Sequence, residues 1–309
     1  MRPEIPDFLK SRPEKYTYNP RKIARRRMIL RILAGVLPPV LGGIYSKIEA
    51  NWLDLSKISL PFKGIQKQEK LKLLHVSDLH LSQAVSLENI EIALRKGFSE
   101  SPDACFITGD FITDTLSEPE LQSLGKLLFK FSSKSPIYAC LGNHDGGLWA
   151  SKHGGPHTSQ DLKRVLTKSG VQLLVNESIK VRIKGIPLQI AGVGDLWSQE
   201  CHPNLCLRTY SNPSPSEPVI VMCHNPDAKE VLQPYYWNIM LAGHTHGGQF
   251  IIPFTKLAPF APVLDHSMLE GLHCLDKSRY IHITRGVGNL YGLRFNCRPE
   301  INLIELVSQ

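Results

Sequence analysis

The sequence lacks the cysteine patterns of a disulfide-rich or zinc-stabilised protein. Its 309 residues include seven cysteines and no C-x-x-C pair, and the odd count leaves at least one thiol without a partner in the chain. Cys105, Cys140 and Cys223 lie inside apolar, strand-like runs, where a free thiol behaves as a small buried hydrophobe. We therefore expect unpaired core cysteines and a reducing compartment.

Charge is also scarce outside the first residues of the chain. Only 21% of the residues are charged, and residues 1–31 hold ten Lys or Arg against three acids, so they carry +7 of the net charge of +8. A nucleic-acid-binding domain would need basic residues interleaved with stacking aromatics on the domain itself. A hydrophobic content of 42% predicts instead a folded enzyme with a large core. We expect no nucleic-acid partner and see no sign of a required protein partner.

No uncharged run near the N terminus is long enough for a membrane-spanning helix. The longest covers residues 32–46, which is fifteen residues, whereas a span needs about 20. Pro38 and Pro39 would also interrupt its helical hydrogen bonds. Because a basic cluster precedes this run, we expect residues 1–50 to associate with a membrane surface without crossing the bilayer. A twin-arginine-like export signal and an amphipathic helix packed on its own domain are the alternatives.

Apolar periodicity predicts the organisation of the rest of the chain. Residues 51–70 are largely polar and contain Pro61 and Gly64, which indicates a linker before a catalytic domain over residues 71–309. Short apolar runs first alternate with helical patterns and later follow one another across short turns. This pattern predicts an α/β domain with two packed mixed β-sheets flanked by helices.

Five polar clusters each follow an apolar, strand-like run at once. They are Asp78-Leu79-His80, Gly109-Asp110, Gly142-Asn143-His144-Asp145, His224-Asn225 and Gly243-His244-Thr245-His246. Ligands gather at the carboxyl ends of parallel strands, so we expect these side chains to converge at one edge. Carboxylate, imidazole and amide donors without a thiolate suit manganese, iron, zinc or cobalt. In the D-x-H and H-x-H pairs, an extended backbone would turn both side chains to one ion.

In this order, the five clusters resemble the signature of the calcineurin-like metallophosphoesterase superfamily, over residues 71 to about 306. The resemblance implies a four-layer αββα sandwich and a metal-dependent hydrolase of phosphoric diesters or pyrophosphates. Its expected cofactors are two divalent ions, manganese first, with iron, zinc or cobalt as alternatives. The ligands that it implies are Asp78, His80 and His246 for one ion, Asn143, His224 and His244 for the other, and Asp110 as the bridge.

The resemblance also implies that His144 is the catalytic proton donor. Many family members place the acid that orients this histidine three residues after the bridging aspartate. That position is Thr113 here, so the next residue, Asp114, becomes the candidate orienting acid. A metal-binding scaffold without turnover is the rival interpretation, and the intact Asn143-His144 pair argues against it.

Further phrases resemble the membrane-associated YkuE-like branch of this superfamily. They are Leu174-Val175-Asn176-Glu177, His224-Asn225-Pro226-Asp227 and Arg285-Gly286-Val287-Gly288. The branch implies hydrolysis of UDP-2,3-diacylglucosamine, a lipid-linked nucleotide sugar, to UMP and 2,3-diacylglucosamine 1-phosphate in lipid A biosynthesis. The enzyme would be peripheral to, or anchored at, the cytoplasmic face of the inner membrane, with Arg285 and Arg294 as candidate substrate contacts. The alternative is a phosphodiesterase for another phospholipid or cell-wall phosphate.

Overall fold

The computed structural model describes residues 28, 31, 39–62, 64–66, 69–209, 217–255 and 257–308. Two compact units divide the chain, Met1–Ile44 and Tyr45–Gln309. Residues 39–49 are helical, but most of the basic and apolar stretch predicted to associate with a membrane lies outside the described residues. Among the residues that are described, no helix combines the length and apolar character that a bilayer crossing requires.

The first sheet of the larger unit has six strands. They are β1 (Asp54–Pro61), β2 (Lys70–Val76), β3 (Ala104–Thr108), β4 (Ile137–Cys140), β5 (Val171–Leu173) and β12 (Glu300–Val307). Their order is β1-β12-β2-β3-β4-β5, and every neighbouring pair is parallel except β12 with β2. The three strands β2, β3 and β4 therefore end at the same edge, which is where the first three polar clusters follow.

The second sheet also has six strands. They are β6 (Glu177–Ile183), β7 (Ile186–Gly192), β8 (Val219–Met222), β9 (Ile239–Ala242), β10 (Gly271–Cys274) and β11 (Tyr280–Ile283). The order is β10-β11-β9-β8-β7-β6, with antiparallel pairs outside and parallel pairs inside. Lys184 and Gly185 join β6 to β7 with φ of 50° and 81°, the left-handed values that a tight hairpin turn favours.

Helices flank the two sheets. They are α1 (Leu87–Phe98), α2 (Glu118–Ser132), α3 (Leu148–Lys152), α4 (Gln160–Lys168) and the single turn α5 (Lys229–Leu232). Residues of α1, α2 and α4 pack on the first sheet, whereas Leu232 of α5 packs on the second. The Ser117 N–H donates to the Glu120 carboxylate at 2.8 Å, so a capping box starts α2.

Three apolar cores separate the layers. Leu94 of α1 and Leu128 of α2 pack against the outer face of the first sheet. Leu73 and Ile220 belong to the core between the two sheets, and Trp237 anchors a third core on the outer face of the second sheet. Cysteine thiols in these cores are free, as expected. The predicted pair of packed mixed sheets with flanking helices is confirmed.

The predicted linker over residues 51–70 is wrong, because eight of these residues form β1. This strand pairs in parallel with β12 along its whole length. Leu60, Phe62 and Ile65 are buried at this edge of the sandwich. The sequence of β1 looks polar because its other face is open to solvent, as is usual for an edge strand.

Candidate metal centre

Left-handed turns aim the predicted ligands into the cleft where both sheets end. After β2, Asp78 and His80 have φ of 52° and 49°; Asp110 has 53°, and His244 and His246 have 70° and 51°. Such values are rare for residues other than glycine, and each costs about 1–3 kcal/mol. The prediction that an extended backbone pairs residues i and i+2 is therefore wrong. The turns bring these side chains together instead.

The first predicted ion site is assembled from both sheets. The Nε2 atoms of His80 and His246 lie 3.1 Å apart. Asp78 Oδ1 is 3.8 Å from His80 Nε2 and 3.5 Å from His246 Nε2. All three side chains are buried, so their ligand atoms face one small space.

The second predicted site shares a carboxylate with the first. Asp110 Oδ2 lies 3.1 Å from His224 Nε2 and 3.5 Å from His80 Nε2. His244 Nδ1 lies 3.2 Å from His224 Nε2. Asp110 thus stands between the two groups of donors, the place that the bridging role requires.

Three of the imidazoles are fixed by contacts to their other nitrogen. His224 Nδ1 lies 2.7 Å from the Thr108 carbonyl, and His244 Nε2 lies 3.0 Å from the Pro262 carbonyl. Donation of N–H to these carbonyls leaves the opposite nitrogen of each ring facing the cluster, where it can coordinate a cation once it carries no proton. His80 Nδ1 is held in the same way by the Thr113 hydroxyl, at 3.0 Å.

Most of these imidazole rings carry no charge, as coordination of a cation requires. Burial lowers the pKa of His80 to about 3, and it lowers the pKa values of His244 and His246 well below the usual range, so these rings are neutral. Burial also opposes protonation of His224, but the charge of Asp110 and its hydrogen bond raise the pKa of His224 to about 10. A cation that binds there must therefore displace a proton.

The donor set fits two divalent cations. Within the described part of the chain, the buried Oδ1 atom of Asn143 has no hydrogen-bond partner, as expected for an oxygen that coordinates a cation. In each of the two buried Asp and His groups, the ligand atoms lie within 4.8 Å of one another. A buried oxygen acceptor beside neutral imidazoles and carboxylates is a metal-binding chemistry.

His144 lies at the edge of this cluster and is half-buried. Its backbone N–H donates to Asp110 Oδ1 at 2.9 Å, and its Nδ1 lies 3.1 Å from the Thr113 carbonyl. The main chain therefore orients the ring. Asp114 is exposed to solvent, so its predicted role as the orienting acid is wrong. A carbonyl acceptor leaves no trace in the sequence, which is why the search for an acid selected the wrong residue.

Asp145 is a structural partner of the site to which the sequence assigned no role. Its buried carboxylate accepts N–H groups from Asp110 at 2.9 Å, Phe111 at 2.7 Å and Gly142 at 2.8 Å. It thereby ties the turn after β3 to the turn after β4. Its position directly after His144 was visible, but only the fold reveals the long-range donors.

Arg294 is not available to substrate as the sequence suggested, because its side chain is completely buried. Its guanidinium donates to the carbonyls of Arg285 at 2.7 Å, Gly288 at 2.5 Å and His246 at 3.1 Å. Arg294 therefore braces the turn next to His246. Arg285 is partly exposed and forms an ion pair with Glu270 at 2.9 Å, so its charge is already matched by an acid.

Two cavities border the cluster. One of about 870 Å³ includes His144, Trp149 and His153 in its wall. The Trp149 ring stacks on His153 at 4.0 Å and lies 4.6 Å from the His144 ring, and Trp197 lies 4.3 Å from His244. No spacing in the sequence singled out these aromatics.

The second cavity is smaller, about 340 Å³, and borders His246. Its wall is mainly apolar. The apolar residues in it are Phe250, Phe260, Pro262, Leu290 and Tyr291. Leu290 and Tyr291 also line the larger cavity, so the two cavities share part of their walls.

Comparison with known proteins agrees with this geometry. The family model of calcineurin-like phosphoesterase matches residues 71–248. The chain is 34% identical to phosphodiesterase YaeI of Escherichia coli, in an alignment that covers 92% of this chain and 100% of YaeI. It is 29% identical to the UDP-2,3-diacylglucosamine pyrophosphatase LpxG of Chlamydia muridarum, over 87% of this chain and 94% of LpxG.

A third relative carries the resemblance to the predicted branch. The metallophosphoesterase YkuE of Bacillus subtilis is 29% identical, over 93% of this chain and 99% of YkuE. The predicted superfamily and its YkuE-like relatives are thus confirmed. With two groups of buried donors able to hold metal ions, the chain belongs to the calcineurin-like phosphoesterase family and is a metal-dependent hydrolase.

Proposed function

We propose that this enzyme hydrolyses the pyrophosphate of UDP-2,3-diacylglucosamine, releasing UMP and 2,3-diacylglucosamine 1-phosphate for lipid A biosynthesis. It would work at the cytoplasmic face of the inner membrane, with residues 1–50 as its membrane-associating segment and residues 71–309 as the core of its catalytic domain. The observation that carries the proposal is the pair of unlike cavities that border one metal centre, one at His246 and the other at His144. The substrate has a nucleotide at one end and acyl chains at the other.

The larger cavity suits the uridine end. Trp149 and His153 form a stacked pair at 4.0 Å in its wall. Aromatic side chains of this kind hold nucleobases by stacking, which is worth about 1–3 kcal/mol per base. Trp149 also touches His144, so a base stacked there would place the adjoining phosphates near the metal ligands.

The smaller cavity suits the lipid end. Phe260, Leu290 and Tyr291 provide an apolar wall next to His246. Each methylene transferred from water to such a surface contributes about 0.8 kcal/mol. The LpxG relatives support this substrate, since their name specifies it and they match 86–87% of this chain.

The residues around the phosphates divide the chemical work. Two bound divalent ions, manganese first, would neutralise the charge that develops on the phosphoryl oxygens. Asp78, His80 and His246 would hold one ion and His224, His244 and Asn143 the other, with Asp110 between them. His144, oriented by the Thr113 carbonyl, would hold the proton for the leaving oxygen on its Nε2 atom.

A second candidate function is hydrolysis of a phosphodiester in another phospholipid or cell-wall phosphate. The observation that favours it is the 34% identity to the phosphodiesterase YaeI over the whole of YaeI. Both candidates use the same metal centre. They differ in the group that occupies the larger cavity.

Product analysis separates these functions. The purified full-length protein would be incubated in detergent and manganese with UDP-2,3-diacylglucosamine, and separately with phosphatidylglycerol and bis(p-nitrophenyl) phosphate. We expect UMP and the diacyl sugar phosphate in the mass spectrum, and none from an Asp110→Ala control. Cleavage of the two generic diesters without UMP release would reject the nucleotide-sugar substrate and leave the second candidate.

A further inference from the structure

Large apolar side chains stand exposed around the loop over residues 250–264, beside the smaller cavity. We call this set the apolar rim: Ile252, Phe254, Leu257, Phe260, Leu264 and Tyr291. Phe254 is fully exposed, and Leu264 and Tyr291 retain 92% and 85% of their accessible surface. Single exposed apolar residues are common on protein surfaces, but five large ones within fifteen residues of one loop indicate an interaction site.

The backbone that carries the apolar rim is firmly held. The Ile252 N–H donates to the Leu257 carbonyl at 3.0 Å, which closes the tip of the loop. At its far end, the Leu264 N–H donates to the buried Asp227 carboxylate at 2.8 Å. Ala258 between them is buried. The exposed side chains are therefore presented by an anchored loop.

Phe254 combines a strained backbone with a fully exposed side chain. Its φ of 63° lies in the left-handed region, which bulky residues avoid. The side chain is fully exposed, so it gains no burial within the protein in return for that strain. A strained residue that presents an aromatic ring to the outside is typical of a functional surface.

The charge of the loop selects the kind of partner. Residues 250–264 contain no aspartate or glutamate and one lysine, Lys256. Apolar side chains that include aromatics, together with a positive charge and no acid, match the interfacial region of an anionic bilayer. A protein partner would be expected to meet a polar rim around an apolar centre, whereas Lys256 is the one charged residue in the sequence of this loop.

The apolar rim is continuous with the metal centre. Phe260 and Tyr291 belong both to the rim and to the wall of the cavity that borders His246. Acyl chains that enter across these residues would reach the metal ligands without passing through water. The cavity therefore opens at the surface that the rim would bury.

The root of the loop is also attached to the C-terminal end of residues 1–50, the segment predicted to associate with a membrane. The Ile251 N–H donates to the Phe295 carbonyl at 2.9 Å, and the Phe295 ring meets Tyr45 edge-on at 5.6 Å. The Asn296 N–H donates to Glu49 at 2.7 Å. Residues 45–50 and the loop thus share one structural support.

We propose that the apolar rim docks on an anionic lipid bilayer, with Phe254 and Leu264 entering the acyl region and the smaller cavity opening toward it. The lipid nature of the substrate rests on the proposed function. The docking itself needs no turnover. Its test therefore fails or succeeds separately from UMP release.

A local optical probe tests the insertion. Phe254→Trp and the matched control Phe129→Trp, at an exposed position on α2, would be compared with the wild type in the full-length chain. The vesicles contain phosphatidylcholine and phosphatidylglycerol with brominated acyl chains, which quench only tryptophans that enter the bilayer. We expect the emission added by Phe254→Trp to fall by about half, and that added by Phe129→Trp to remain. Equal emission changes in the two variants would overturn the proposal.

A second pair of variants measures binding. Phe254→Ser/Leu264→Ser should reduce flotation with the same vesicles about tenfold, whereas Phe129→Ser should float as the wild type does. Circular dichroism melts should coincide for all three, because each replaced side chain is exposed. Unchanged flotation of the double variant would contradict docking. A wild-type dimer that becomes a monomer in the double variant, without loss of flotation, would assign the surface to a second copy and reject the bilayer.

Discussion

The two sheets bring different donors to the same cleft. The strand ends of the first sheet supply Asp78, His80, Asp110 and Asn143, and the second sheet supplies only imidazoles, His224, His244 and His246. Each predicted ion site draws on both sheets, since the first joins two donors from one sheet to His246 from the other. Both predicted ion sites are therefore completed only when the two sheets meet. The alignment of the two sheets decides whether the centre exists.

Buried polar contacts across the sandwich secure this alignment. His224 reaches from the second sheet to the Thr108 carbonyl of the first, at 2.7 Å. Deeper in the core, the Nδ1 atoms of His75 on β2 and His282 on β11 lie 2.8 Å apart. Buried polar pairs of this kind are directional, so they fix relative position in a way that apolar packing does not.

Removing the shared carboxylate should have the largest effect. Asp110→Ala takes away the group that faces the donors of both sheets, so we expect at least an about 1000-fold loss of kcat on bis(p-nitrophenyl) phosphate. Metal analysis should show fewer than two ions bound per chain. Asp114→Ala is the control in the same loop and should stay within about twofold, because this side chain does not orient His144. A comparable loss in both variants would refute this division of roles.

Loss of the Asp145 carboxylate should destabilise the turns that carry the metal ligands of the first sheet. Asp145→Ala leaves the buried N–H groups of Asp110, Phe111 and Gly142 without their acceptor, at about 1–3 kcal/mol each. We expect a loss of at least about 3 kcal/mol in the free energy of unfolding, measured with urea in EDTA. The isosteric Asp145→Asn keeps one acceptor oxygen, so its free energy of unfolding should lie between those of the wild type and Asp145→Ala. A wild-type midpoint for Asp145→Ala would contradict the role of this carboxylate.

The inter-sheet histidine pair should be visible in the pH dependence of stability. Burial lowers the pKa of His282 to about 3 and that of His75 well below its usual range, whereas both rings titrate near 6.5 when unfolded. The unfolded chain therefore binds more protons between these values, and stability falls as the pH drops below 6.5. From pH 7.5 to 5, each histidine should account for about 2 kcal/mol of this loss.

The double variant His75→Leu/His282→Leu isolates that contribution. Urea unfolding at both pH values, in EDTA, should show a smaller loss on acidification than the wild type shows. The single variant His282→Leu serves as the comparison, because it leaves His75 without its partner. Identical acid sensitivity of the wild type and the double variant would show that the pair is not neutral in the folded state.

The smallest expected effect comes from Gly243→Ala, which adds a methyl group between the second sheet and the first. A Cβ atom on Gly243 would overlap the Ser77 side chain and the Asp78 carboxylate. We expect Gly243→Ala to lower kcat about tenfold, since the turn carrying His244 must shift. Adding Ser77→Gly removes the nearest overlapping atoms and should restore part of the rate. If kcat is no higher in the double variant than in Gly243→Ala, the overlap with Ser77 is not the cause of the loss.

The sequence was informative where chemistry repeats at strand ends. The run of β2, β3 and β4 and the donors that follow them could be predicted, because each apolar run stops at a polar cluster. It failed for β1, whose open face looks like a linker. It also failed for Asp114, because the Thr113 carbonyl orients His144 in its place. It failed for Arg294 because the Gly288 and His246 carbonyls bind its guanidinium inside the protein. Main-chain acceptors are identical at every position, so no residue pattern reveals them.

The cavities and the apolar rim were beyond the sequence for a different reason. Trp149 and His153 come from one short helix and its end, but Leu290 and Tyr291 of the same wall come from a distant loop. The exposure of Phe254 and Leu264 depends on how residues 250–264 are tied down. Such walls are products of tertiary assembly, and only their composition could be read beforehand.

Five of the seven predicted ligands occupy left-handed backbone positions. The metal centre is therefore defined by a set of turns, because the turns decide where the ligand side chains point. Copying the seven residue types onto the strand ends of another sheet would not transplant the site, because flat strand ends aim side chains elsewhere. A graft would have to include the turns themselves and the sheet that supports them.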